Sequence, residues 1–345
     1  MIATLNADFI RGPCGSRPRW GRLPGPACPS TIMHALLYHL FPQDAKEAHP
    51  TRHSSGILHA LFCGVLWLCG LLLVWPYTTA ATEAPSAPLR VVSLAPSLTE
   101  LLFAMDLGDT LIGRSSACDY PAAARDLPSV GGFGRPNPEM LHRLRPDLVI
   151  TTDLEKPGLR RQLERQGATV RVLPCESWAE LRAAARELGA LLNASAQADR
   201  WVQQMETRIE RLQARSSRRP LDERPKVYVE VWGNPVMTVG KDAFLNEVIA
   251  WAGGRNVAAD VAGRYPTISG EWVVREDPDV ILVAYMLADL PAAQAIRRRL
   301  GWSGIAGLRE NRMVDDVDPD WLLRPGPRLL DGAEALADRI DHWWP

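Results

Sequence analysis

Residues 137–151, NPEMLHRLRPDLVIT, return in other letters but the same roles as residues 269–283, SGEWVVREDPDVILV. Each copy runs cap residue, spacer, Glu, short helical pattern, Pro-Asp and then an apolar run, with the two glutamates at 139 and 271. Asn and Ser are strong helix N-caps, and proline forces the chain out of the helix. A short, uninterrupted apolar run after such a stop reads as a strand covered on both faces. The flanking segments keep the same order. RVVSL at 90–94 leads into a helical pattern over 95–108 that ends on Gly, and KVYVEV at 226–231 leads into another over 243–254, after a turn at 233–235 that reads as a hairpin-like insertion. A chain that writes these units twice in one order is expected to fold as two related bodies.

Between the copies, strand patterns at 110–114, 147–151 and 168–173 alternate with helical ones, which implies βαβ units and a mainly parallel sheet with covered faces. The period then changes. Ala198, Trp201, Val202, Met205, Ile209 and Leu212 recur every three or four residues on one helix face, with Gln203, Glu206, Arg208, Glu210 and Arg211 opposite. At 1.5 Å per residue this is a rod about 30 Å long. The fold class expected is therefore α/β: an N-terminal lobe over 89–190 and a C-terminal lobe over 225–345, each with a central, mainly parallel sheet. One long backbone helix at 195–218 joins them, and a ligand cleft lies between them. A stiff crossing of this kind implies modest opening and closing around a bound molecule.

The N-terminus differs from all this. Residues 1–55 carry many Pro and Gly with no helical or strand period, and read as an unstructured leader, with Met33 as a candidate true start. Residues 57–75 are almost wholly apolar and follow Arg52 and His53. The segment 56–82 thus reads as a secretory signal cleaved after about Ala81. At 19 residues the apolar run also approaches a bilayer span, so an uncleaved inner-membrane anchor is the alternative. Either way the expected location is the periplasm. Of six cysteines only Cys118 and Cys175 lie beyond this segment. An oxidising compartment permits a bridge between them, but sequence leaves open whether their Cα atoms come close enough.

Several chemistries are excluded or unsupported. A net charge of −1 with scattered Lys and Arg gives no field to collect nucleic acid. Beyond the apolar segment only His142 and His342 remain, one in each lobe, too few for a His-rich metal site, and no metal ligation is expected. The serine elbow is absent, since GWSG at 301–304 lacks its last glycine, and VGGFGRP at 130–136 fits neither phosphate-binding glycine pattern. Asp318 and Asp320 could act as acid and base, but acidic turns before a helix are more often caps. The chain is not expected to be an enzyme.

Taken together, RVVSLAPSLTELLF at 90–103, CDYP from Cys118, NPEML at 137–141, RPDLVI at 145–150, GKDAFLNEVI at 240–249, AGGRN at 252–256, YPTISGE at 265–271 and RPGPR at 324–328 resemble the periplasmic cobalamin-binding proteins of ABC importers. That family belongs to the helical-backbone metal-receptor class, which also takes haem and ferric siderophores. The resemblance implies a monomeric substrate-binding protein that captures cobalamin or a related corrinoid as transported ligand, holds no cofactor, and delivers it to inner-membrane permease subunits. It further implies that Glu139 and Glu271, one per lobe, dock onto permease arginines. Haem or siderophore binding, or a membrane-tethered ligand sensor, are the alternatives.

Ligands of open α/β sheets sit beyond strand C-termini. The turns there offer Tyr120, Phe133, Trp232, Tyr265 and Trp321 as an aromatic grip, with Asp320 and Arg324 beside them. Four such rings burying about 100 Å² each would contribute about 10 kcal/mol before association costs. For haem, Tyr120 or Tyr265 could be axial; for an anionic siderophore, Arg114, Arg135, Arg264, Arg324 and Arg328 are candidate cations. Thr152 stands where the family pattern leads one to expect a cleft-facing aromatic.

Overall fold

The computed structural model describes residues 88–344 apart from 134, 153–156, 166 and 286–291. The leader and the signal or anchor segment lie outside the described residues. Among those described, no helix is long and apolar enough to cross a membrane.

The N-terminal sheet contains β1 (Val91–Ser93), β2 (Leu111–Arg114), β3 (Leu148–Thr151) and β4 (Thr169–Val172), in the order β2-β1-β3-β4 and parallel throughout. Its helices include α1 (Pro96–Ala104), α2 (Pro138–Leu144) and α3 (Trp178–Leu191). The rod, α4 (Ser195–Ser216), follows with Trp201, Val202, Met205, Ile209 and Leu212 buried, as their spacing predicts. The C-terminal sheet holds β5 (Lys226–Gly233), β6 (Val236–Thr238), β7 (Arg255–Asn256), β8 (Val280–Val283) and β9 (Met313–Val314). Its order is β9-β8-β5-β6, with β7 also on β5, and only the β5–β6 hairpin is antiparallel. That hairpin is the insertion expected at 233–235. The helices of this lobe include α5 (Leu245–Trp251), α6 (Gly270–Glu276), α7 (Pro319–Leu323) and α8 (Leu329–Trp343).

The duplicated stretch is duplicated in its bonds. Asn137 Oδ1 accepts from the backbone N–H of Glu139 at 2.9 Å, and Ser269 Oγ from that of Trp272 at 3.1 Å, so α2 and α6 start on side-chain caps. Both helices stop on a left-handed residue just before the proline, Arg145 with φ 48° and Asp277 with φ 44°. The next Asp then ties the helix end to the lobe's first strand. Asp147 Oδ2 accepts from Arg90 N–H at 2.9 Å, and Asp279 Oδ2 accepts from Lys226 N–H at 2.8 Å. The cationic ends of the same two residues cap the last helical carbonyl: Arg90 Nη2 donates to Leu144 O at 2.9 Å and Lys226 Nζ to Glu276 O at 2.5 Å. Pro-Asp is therefore a stop followed by a lock, written once per lobe.

The rod is fastened to both lobes. One continuous cluster of buried side chains runs from α1 and β1 through the rod face to α5, β5 and α8. Around it, Arg182 on α3 pairs with Glu206 at 3.0 Å, while Arg208 pairs with Asp331 at 2.6 Å and Glu334 at 2.8 Å on α8. About two turns further on, Arg215 pairs with Asp338 at 2.7 Å and with Asp341. The rod's polar residues thus supply ion pairs to both neighbours.

Candidate functional site

Where the C-terminal ends of the N-terminal strands meet the other lobe lies a cavity of about 330 Å³. Ser97 follows β1, Ala117 follows β2, Thr152 follows β3 and Cys175 follows β4, so its floor is built from four successive strand ends. Tyr265, Leu323 and Arg324 close it from the C-terminal lobe. Parallel strands leave their C-terminal edge free of crossovers, which places a ligand there.

Three of the residues expected to hold a ligand line this cavity: Phe133, Tyr265 and Arg324. Phe133 is 49% exposed and Tyr265 40%, so the two rings form aromatic lips, one from each lobe. Burial, with help from the Glu176 carboxylate, pushes the Tyr265 phenol above its ordinary range. Glu176 in the N-terminal lobe forms an ion pair with Arg264 in the C-terminal lobe at 3.1 Å, beside Tyr265.

The other expected aromatics lie elsewhere, each for a local reason. Trp232 was assigned to a turn, but β5 continues to Gly233. Trp232 is therefore a strand residue opposite Met237, with its ring stacked on Tyr285 at 6.3 Å and its indole N–H donating to Asn234 O at 2.8 Å. Trp321 lies within α7, whose N-cap Asp318 accepts from Asp320 N–H at 2.9 Å. That helical phase turns its ring toward a separate hollow with Val317 and Arg339. Tyr120 lines a third hollow, against Phe103, Trp201 and Met205, with the Arg328 guanidinium 4.1 Å above its ring. With two aromatics in place of four, the gross apolar contribution falls to about 5 kcal/mol on the same area rule.

Arg324 belongs to a part-buried charge cluster at the lobe junction. Its Nη1 donates to Asp119 Oδ1 at 2.5 Å, and its Nε lies 2.9 Å from Asp320 Oδ1. Behind it Arg328 forks onto Glu100, Nε to Oε2 at 2.8 Å and Nη2 to Oε1 at 2.7 Å, while Arg324 Nη1 lies 3.9 Å from Glu100. The Glu100 side chain is 3% exposed. Its burial pushes the carboxyl up, against the pull of Arg328 and Arg324; burial also pushes Asp320 up, whereas the hydrogen bond from Arg324 holds Asp119 below the usual carboxylate range. Glu100 and Asp119 come from one lobe and the arginines from the other, so the cluster also clamps the junction. Glu100 was missed in the sequence, though an acid among Leu98, Leu101 and Leu102 on an apolar helix was a visible signal.

Four of the five cations considered for an anionic ligand are already engaged by the protein. Arg114 donates to the carbonyls of Ala124, Ser115 and Arg125, and Arg264, Arg324 and Arg328 each have carboxylate partners. The cysteines are free: Cys118 and Cys175 are both buried thiols, and burial pushes Cys175 up to about 12. No group of three or more potential metal ligands occurs among the described residues. Glu139 and Glu271 are both exposed in the first turns of α2 and α6, and neither carboxylate has an ion-pair partner among the described residues.

Comparison with known proteins agrees with this architecture. Residues 91–319 match the family model described as periplasmic binding protein. An ABC transporter substrate-binding lipoprotein of Bacillus subtilis (strain 168), YvrC, is 34% identical over 258 residues, covering 73% of this chain and 80% of its own. The vitamin B12-binding protein of Pectobacterium atrosepticum is 28% identical, over 79% of this chain and 94% of its own. Among solved structures, a periplasmic heme binding protein from Pseudomonas aeruginosa superposes with a TM-score of 0.65 at 27% identity, covering 73% of this chain and 92% of that one. Two α/β lobes on a helical rod, with a cavity at the strand ends between them, are the frame on which an extracytoplasmic receptor presents a small molecule to an ABC importer, and this chain belongs to the periplasmic binding protein family.

Proposed function

We propose that the protein captures cobalamin or a related corrinoid in the periplasm, as a monomer, and delivers it unaltered to the permease of an ABC importer. The observation that carries this reading is the cleft itself. Its described lining is mostly apolar, with an aromatic lip on each lobe, and its one cation is already neutralised by the protein's own acids. A large, neutral, flat-faced ligand fits such a lining, and relatives named vitamin B12-binding proteins point the same way. The cavity volume of about 330 Å³ is smaller than a corrinoid, so the ligand would spread over the exposed rings of Phe133 and Tyr265. Making room at the mouth would separate Arg264 from Glu176, an exposed pair that contributes at most about 1 kcal/mol. Glu139 and Glu271 are assigned to permease docking.

One observation favours haem instead: Tyr265 lines the cleft and could be an axial ligand. Titrating the purified protein with cyanocobalamin, haemin and a ferric siderophore, followed by intrinsic tryptophan fluorescence, separates the readings. Saturable quenching at micromolar cyanocobalamin or below is the expected result. No response to cyanocobalamin beside tight haemin binding would replace the corrinoid with haem.

A further inference from the structure

Arg324 is the only cation among the described residues lining the cleft, and it is not available to an anionic ligand. A guanidinium offers five N–H donors. Two of its nitrogens already face protein carboxylates, Nη1 toward Asp119 and Nε toward Asp320. The second cation, Arg328, is forked onto Glu100 and covers Tyr120, with its Nη2 3.9 Å from Asp320. The junction therefore sets three carboxylates, Glu100, Asp119 and Asp320, against two guanidiniums, a formal balance of −1. The remaining charged residue on the lining, Glu176, is matched by Arg264.

From this balance we infer that Asp119 and Asp320 are specificity-determining residues: by neutralising the charge of Arg324 while leaving it N–H donors to spare, they make the cleft prefer ligands bearing carboxamides over isosteric ligands bearing carboxylates. The inference rests on the corrinoid reading and refines it. A carboxylate brought to Arg324 would gain one cation and meet two fixed acids at hydrogen-bonding range of that same cation, and it can only accept. A primary carboxamide is acceptor and donor at once. Its carbonyl can take an N–H of Arg324 while its NH2 donates to the lone pairs of Asp119 or Asp320. Discrimination of this kind acts by repelling the wrong partner as much as by holding the right one.

The test uses two ligands of one shape. Cyanocobalamin carries peripheral carboxamides, and mild acid hydrolysis converts one of them to a carboxylate, giving separable monoacids. The protein is expected to bind cyanocobalamin at least tenfold more tightly than one or more of the monoacids, with the ratio shrinking from 20 to 500 mM NaCl as the charge effect is screened. In the Asp119→Asn/Asp320→Asn variant, checked for folding by circular dichroism and melting, Arg324 is released and the ratio should fall to about one or invert. Equal affinity of the unaltered protein for cyanocobalamin and every monoacid would overturn the inference and leave the corrinoid reading standing. A ratio that persists at high salt and in the folded double variant would overturn it too. If cyanocobalamin does not bind at all, the corrinoid reading falls and haemin with its dimethyl ester decides the inference. Preference for the ester supports charge exclusion, whereas preference for haemin defeats it.

Discussion

Glu100 shows how one side chain can be forced by its surroundings into a partnership. Helix α1 turns Leu98, Leu101 and Leu102 into the core, and Glu100 is carried inward among them, so its charge is tolerated only because Arg328 forks onto it. A buried pair of this kind adds little net stability, but removing one member strands the other. Glu100→Ala is expected to lower the unfolding free energy by about 3–5 kcal/mol in urea titrations, since Arg328 then lies buried without its forked partner and with only Asp320, 3.9 Å away, as a carboxylate neighbour. Asp119 works in the other direction. It is more exposed, and Arg324 keeps it ionised, so its contribution is to hold Arg324 in place more than to stabilise the fold. Sequence shows all of these as charged letters in loops and on a helix; only their partners separate a clamp from a solvated surface.

At the level of elements, the duplicated unit is a structural device before it is a functional one. In both lobes Pro-Asp ends a capped helix, and the Asp then binds the backbone at the head of the first strand. Strand pairing repeats with it, Val91 opposite Leu148 in one lobe and Val227 opposite Val280 in the other. Asp147→Ala and Asp279→Ala should each cost about 1–2 kcal/mol, and the losses should add in the double variant because the sites share no partner. Thermal melts of the two single variants and the double variant measure this directly; strong non-additivity would mean that the two locks communicate through the rod. The rod itself was legible from its apolar stripe. Its ion pairs to α3 and α8 were not, because a charge on a helix surface gives no sign of what packs beside it.

For the whole molecule, one core passes through both lobes and the rod, so the lobes are joined by packing rather than by a loose tether. Opening around a ligand must then be a small strain shared by the rod and the junction cluster. Such rigidity suits a receptor read from outside by its permease, with Glu139 and Glu271 as two charges set in equivalent helix starts. Removing one partner of a desolvated interfacial pair costs about 2–5 kcal/mol, so reversing both charges should abolish docking. Glu139→Arg/Glu271→Arg is expected to lose uptake in a transport assay while its affinity for cyanocobalamin in solution is retained. Undiminished uptake would remove the docking role and leave the binding role untouched.

The chain's own letters determined the alternation of strand and helix, the rod, the duplication and the caps, because each depends on spacing or chemistry within about fifteen residues. Phe133, Tyr265 and Arg324, named from the sequence as candidate ligand contacts, line the cavity at the strand ends. Trp232 and Trp321, named with them, lie instead in a strand and a helix, because the strand runs two residues further and a turn of helix forms where loops were expected. Only the tertiary structure decided which arginines were already paired, because Glu100 and Arg328 stand 228 positions apart and Asp119 and Arg324 stand 205 apart. A local pattern fixes which face of an element is apolar, but the electrostatic character of a cleft is a sum over groups that only the assembled lobes bring within reach of one another.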